Sequence, residues 1–64
     1  METLHDMAAC AEREVRMRRR VYPRWVESGR MTAAQAEREI ALMDAIAAKL
    51  REEADRARRK EMLL

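Results

Sequence analysis

The chain has 64 residues, of which Ala, Arg, Glu, Leu and Lys make up 40, a composition typical of long helices and coiled coils. So short a chain forms one small domain with a marginal core. This size and composition exclude most enzymes, which need a framework around a pocket. A single cysteine, Cys10, excludes a disulfide scaffold. The longest apolar run is five residues, Met7–Ala11, and the N-terminus is acidic, so we expect a cytoplasmic protein without membrane insertion.

Charge is distributed unevenly along the chain. Residues 1–12 carry a net charge of −3, residues 13–30 carry +5, and residues 31–64 are neutral, which together give the overall +2. Acidic residues followed by basic residues along one helix also suit the helix dipole. Stabilisation of the first helix is therefore the simplest explanation of this asymmetry.

Two amphipathic helices are predicted from apolar residues that recur at alternating spacings of three and four. In the first half these seam residues are Leu4, Ala8, Ala11, Val15, Arg18, Tyr22 and Trp25. In the second half they are Ala36, Ile40, Met43, Ala47, Leu50, Ala54 and Ala57. We therefore expect an all-α, single-domain antiparallel hairpin over residues 1–64, in which facing residues have numbers that add up to about 61 or 62.

The turn between the helices is marked by Gly29, the only glycine, which is expected to follow the C-cap of helix 1 with a positive φ. Thr32 and Gln35 have the spacing of a capping box at the start of helix 2. We therefore place helix 1 at about residues 3–28, the turn at 29–32 and helix 2 at about 33–60.

Pro23 lies within the predicted first helix, where it removes one hydrogen bond and clashes with the carbonyl of Arg19. Because Trp25 and Val26 keep the helical period, we expect the helix to kink near Pro23 and continue. An irregular stretch from Pro23 to Met31 is the alternative.

A second apolar stripe on each helix would remain exposed in a single hairpin, and such a patch usually marks an interface. We therefore expect a homodimer that forms a four-helix bundle, although a monomer with a few exposed apolar residues remains possible. The expected dimer-interface residues are Cys10, Met17, Val21, Leu42 and Ile46. Arg18 lies in the apolar seam, and we expect its guanidinium to reach Glu14, Glu39 or a partner chain.

Two charged surfaces are candidate partner-binding sites. The basic one combines a row of arginines with the aromatic tip, and its expected residues are Arg16, Arg20, Arg24, Tyr22 and Trp25. The acidic one lies on helix 2, and its expected residues are Glu37, Asp44, Ala48 and Asp55. The alternatives are solvated helix faces with intrahelical pairs such as Arg51–Asp55 and Glu52–Arg56, and aromatic rings that close the end of the core.

Catalytic, cofactor and metal sites are not expected. His5 and Cys10 are five residues apart, so one helix cannot direct both at the same ion, and a zinc site needs more such ligands. Cys10 lacks a neighbouring base that would make it a nucleophile. We expect it to be a small apolar residue near the dimer axis.

Part of the sequence resembles a known family. The segment from Ala11 to Thr32 contains Glu-Val-x-Met-Arg, Val-Tyr-Pro-Arg-Trp-Val and Ser-Gly-Arg-Met, and similarity continues through Ala36–Ile40 and Met43–Ile46. It resembles small early-region proteins of temperate phages and prophages of Pseudomonas and related bacteria. The likeness covers about residues 8–50.

The resemblance implies a non-enzymatic host-takeover protein that works by binding. One member of this family is a dimeric helical hairpin that binds the host's LuxR-type quorum-sensing activator, keeps it off DNA, and also inhibits the assembly ATPase of type IV pili. The expected partners are therefore a second copy of the chain and a host transcription activator or pilus motor ATPase. A helical nucleic-acid-binding accessory protein and a phage structural or assembly component are the alternatives.

Overall fold

The computed structural model describes residues 1–63, which form two long helices packed against each other as an antiparallel hairpin. Helix α1 runs from Leu4 to Glu27 and helix α2 from Ala33 to Met62. No strand occurs between residues 1 and 63. The predicted all-α hairpin is confirmed.

Helix α1 is capped by Thr3, whose hydroxyl accepts a hydrogen bond of 3.0 Å from the Asp6 amide. The helix then continues through Pro23 to Glu27, so the alternative of an irregular stretch after Tyr22 is wrong. Pro23 and Arg19 are both exposed, and water can therefore satisfy the Arg19 carbonyl that loses its helical partner.

The turn ends α1 in a Schellman arrangement. Gly29 has a φ of +81°, its amide donates to the Val26 carbonyl, and the Arg30 amide donates to the Trp25 carbonyl. Thr32 and Gln35 then form the predicted capping box, because each side chain accepts a 3.0 Å hydrogen bond from the other residue's backbone amide. Both features of the turn are therefore as the sequence predicts.

Gly29→Val is expected to lower the free energy of unfolding by at least about 1 kcal/mol, because a β-branched residue resists a positive φ. No atom lies within 4 Å of the added Cβ, so the backbone conformation rather than a clash causes this loss. Urea denaturation measures the effect, and Gly29→Asn is the control because asparagine tolerates this conformation better. An unchanged midpoint for the valine variant contradicts the assigned turn.

The core consists entirely of seam residues. Seven of residues 1–63 are buried, namely Ala8, Ala11, Val15, Tyr22, Ala36, Ala47 and Ala54. Val15 and Ala47 form the central cluster with Ala11, and Met43 and Leu50 pack against it. These contacts fit the predicted register, in which Val15 faces Ala47 and Ala11 faces Leu50. Five of the seven buried residues are alanines, so the helices approach closely but bury little apolar area.

Candidate functional site: three exposed faces of the hairpin

The second apolar stripe remains uncovered in the single hairpin. We call Cys10, Met17, Val21, Leu42 and Ile46 the apolar face. Leu42 is 42% exposed and Ile46 49% exposed, Met17 and Val21 are half-buried, and the free thiol of Cys10 is exposed. The predicted burial of Cys10 therefore does not occur within one hairpin and depends on a partner covering this face.

Arg18 shows that the stripes of the two helices lie on the same side of the hairpin. Its Nε donates to Glu14 Oε1 at 3.0 Å, and its Nη1 donates to the Glu39 carbonyl at 2.9 Å and lies 3.6 Å from Glu39 Oε2. Glu14 lies among the residues of the α1 stripe and Glu39 borders the α2 stripe. The predicted reach of Arg18 towards both glutamates is confirmed, and this polar bridge joins the two helices on the side that carries the apolar face.

The two aromatic residues differ in what they offer a partner. Their rings stack with centroids 5.3 Å apart, and the Arg18 guanidinium lies 5.7 Å from the centre of the Tyr22 ring. Tyr22 is only 9% exposed, whereas Trp25 is half-buried. Tyr22 therefore closes the end of the core, and its role in a partner-binding tip stays a prediction. Trp25 keeps a partly accessible surface.

The opposite side of the hairpin carries the acidic face, which we define as Glu37, Ala41, Asp44, Ala48, Glu52 and Asp55. All six residues are exposed. Asp44 lies 3.6 Å from Arg19, and Glu52 forms the predicted pair with Arg56 at 2.7 Å. Among residues 1–63, Glu37 and Asp55 form no ion pair. The face therefore combines small side chains with carboxylates that a basic partner can reach.

The prediction of an Arg51–Asp55 ion pair is wrong, because the Arg51 side chain extends across the hairpin to α1 instead. Its guanidinium donates two hydrogen bonds to Glu12, at 3.0 Å to Oε2 and 2.8 Å to Oε1, and its Nη1 lies 3.3 Å from His5 Nδ1. The hydrogen bonds from Arg51 lower the pKa of Glu12 and raise that of Arg51. Glu12 is thereby committed to a contact between the helices, which periodicity along one helix does not reveal.

The outward face of α1 carries the Arg stripe, which we define as Arg13, Arg16, Arg20 and Arg24. All four side chains are exposed, and none forms an ion pair within the described part of the chain. Other cations are paired, including Arg18, Arg19, Lys49, Arg51 and Arg56. The predicted residues Arg16, Arg20 and Arg24 therefore lie together on one accessible surface.

Other kinds of site were sought in the same structure. Residues 1–63 contain no cluster of three or more His, Cys, Asp or Glu side chains that could hold a metal ion. In the same range, neither helix has an apolar stretch long enough to cross a bilayer. The candidate sites are therefore the apolar face, the acidic face and the Arg stripe.

Comparisons with known proteins do not identify a family for this chain. Neither models of protein families, nor curated proteins, nor solved structures give a match to the chain.

Proposed function

We propose that the protein is a non-enzymatic, homodimeric inhibitor of phage or prophage origin that binds a host transcription activator of the LuxR type. The choice of partner rests on one observation, the exposed acidic face of the helical hairpin. The likeness to early-region phage proteins supplies the class of target, and the apolar face supplies the basis for dimerisation.

Dimerisation through the apolar face is supported by the exposure of its side chains. Leu42 and Ile46 are 42% and 49% exposed in the single hairpin, so a second copy that covers this face removes apolar surface from water. A second copy also compensates for a core built mainly of alanine. Packing two hairpins through this face yields a four-helix bundle in which Arg18 and its two glutamates lie at the interface.

The acidic face supports the choice of a DNA-binding activator as the target. A surface that contacts DNA must be basic where it meets phosphates. The carboxylates of Glu37, Asp44 and Asp55 complement such a surface, and the small side chains of Ala41 and Ala48 allow another helix to approach. Occupying the activator's basic surface keeps it from its promoter without any chemical step.

Expression of the protein in a bacterium with a LuxR-type activator is expected to lower transcription from a quorum-sensing promoter while the amount of activator stays constant. Reversing charge with Glu37→Lys, Asp44→Lys and Asp55→Lys is expected to abolish this inhibition without dissolving the dimer. A promoter–reporter fusion measures the transcription, and immunoblotting measures the amount of activator.

The matched control reverses an equal number of charges on the other face, with Arg16→Glu, Arg20→Glu and Arg24→Glu, and is expected to inhibit like the wild type. If the arginine variant fails while the acidic variant inhibits, the docking face is assigned backwards. If both variants inhibit and the purified wild type does not bind the activator, the proposed function is wrong.

A further inference from the structure

The Arg stripe places four side chains that form no ion pair among residues 1–63 in one row along α1. Neighbouring members are separated by three or four residues, so the side chains of Arg13, Arg16, Arg20 and Arg24 repel one another along the helix. Glu12 is four residues before Arg16 and would balance it, but both Glu12 oxygens accept hydrogen bonds from Arg51. The fold thus commits Glu12, one of the carboxylates near this stripe on α1, to a contact between the helices.

The chemistry of the stripe fits a phosphate backbone. Arginine is always charged and its planar fork matches phosphate geometry. From Arg13 to Arg24 the stripe extends about 16 Å, at 1.5 Å per residue, which is long enough to follow several successive phosphates of a duplex.

The stripe itself contains only arginines. Interfaces between proteins usually centre on buried apolar or aromatic anchors, and on this molecule Met17 and Val21 lie on the apolar face while Tyr22 is buried. A polyanion that needs no apolar anchor is therefore the better fit than an acidic protein surface.

We infer that the Arg stripe of α1 is a sequence-independent binding surface for the sugar–phosphate backbone of double-stranded nucleic acid. This surface is separate from the acidic face proposed for the activator. It gives the protein a way to remain near DNA while its acidic face engages a DNA-binding protein.

The test is a titration of the full chain with a fluorescent DNA duplex of arbitrary sequence, followed by anisotropy between 50 and 200 mM salt. Four phosphate contacts predict a slope of log K against log salt of about −3.6, equivalent to a roughly 150-fold loss of affinity over this range. Arg16→Gln with Arg20→Gln is expected to reduce the slope by about two. Arg16→Lys with Arg20→Lys is expected to retain it.

Arg56→Gln with Arg58→Gln makes the same change in net charge at exposed positions of α2 and is expected to leave the slope unchanged. A slope that falls equally in this control contradicts a localised site. Absence of duplex binding at 50 mM salt overturns the inference, and binding to poly-L-glutamate that depends on Arg16 and Arg20 then assigns the stripe to an acidic protein. Circular dichroism verifies that every variant remains helical.

Discussion

Ile46→Glu is expected to convert the protein into a monomer and to lower its melting temperature at the same time. Ile46 is 49% exposed in the single hairpin and lies in the middle of the apolar face, beside Leu42 and across from Met17. A carboxylate there would have to lose its water in the dimer, and Arg18 on this face is already paired with Glu14 and Glu39. Because the core of one hairpin is small, loss of the partner also removes stability.

Sedimentation equilibrium at micromolar concentration measures this change in mass, and thermal circular dichroism measures the stability. Ala45→Glu is the control, since it adds the same charge at the adjacent exposed position on the outward side of α2. It should leave both the mass and the melting temperature close to those of the wild type. A wild-type protein that sediments as a monomer under these conditions contradicts dimerisation through the apolar face.

Ala47→Leu is expected to destabilise the hairpin by about 1–3 kcal/mol, because added methylene groups have no space in a well-packed core. Ala47 is 4% exposed and packs in the central cluster with Val15 and Ala11. In a chain of this size, each kcal/mol lowers the melting temperature by about 4–8 °C. A thermal melt therefore detects the effect readily.

Ala48→Leu is the matched control, because the same side chain is added one position later on an exposed part of α2. Its melting temperature should stay near that of the wild type. Equal melting temperatures of the two variants would mean that Ala47 does not lie in a close contact between the helices. The register of the hairpin would then have to be revised.

The fold could be predicted because its determinants act over short distances along the chain. Every buried residue belongs to the predicted seam, from Ala8 to Ala54. Gly29 and Thr32 mark the ends of the helices through conformational preferences that depend on only a few neighbours. Continuation through Pro23 was also readable, since Trp25 keeps the helical period after it.

The surface was harder to predict because its contacts join residues far apart in sequence. Arg51 has Asp55 on its own helix as a possible partner, but the packed hairpin places Glu12 within hydrogen-bonding distance. Helical spacing likewise places both Tyr22 and Trp25 at the tip without indicating that the hairpin buries the former more deeply. These outcomes depend on how two helices meet, which periodicity along either helix does not specify.

The partner is less accessible to sequence reasoning than the fold. The acidic face and the Arg stripe are each defined by charge, and charge complementarity selects a class of partner rather than one protein. Resemblance to a family of small phage proteins suggests the LuxR-type activator, and the two sets of charge-reversed variants separate the contributions of the faces.

The proposed function requires the protein to bind an activator through the acidic face. Calorimetric titration of the purified chain with the isolated DNA-binding domain of a LuxR-type activator tests it directly. We expect the wild type and the variant reversed at Arg16, Arg20 and Arg24 to bind, and the variant reversed at Glu37, Asp44 and Asp55 to lose binding. A wild-type protein that gives no binding heat and does not displace the domain from its promoter DNA would contradict the proposal that it inhibits the activator by binding.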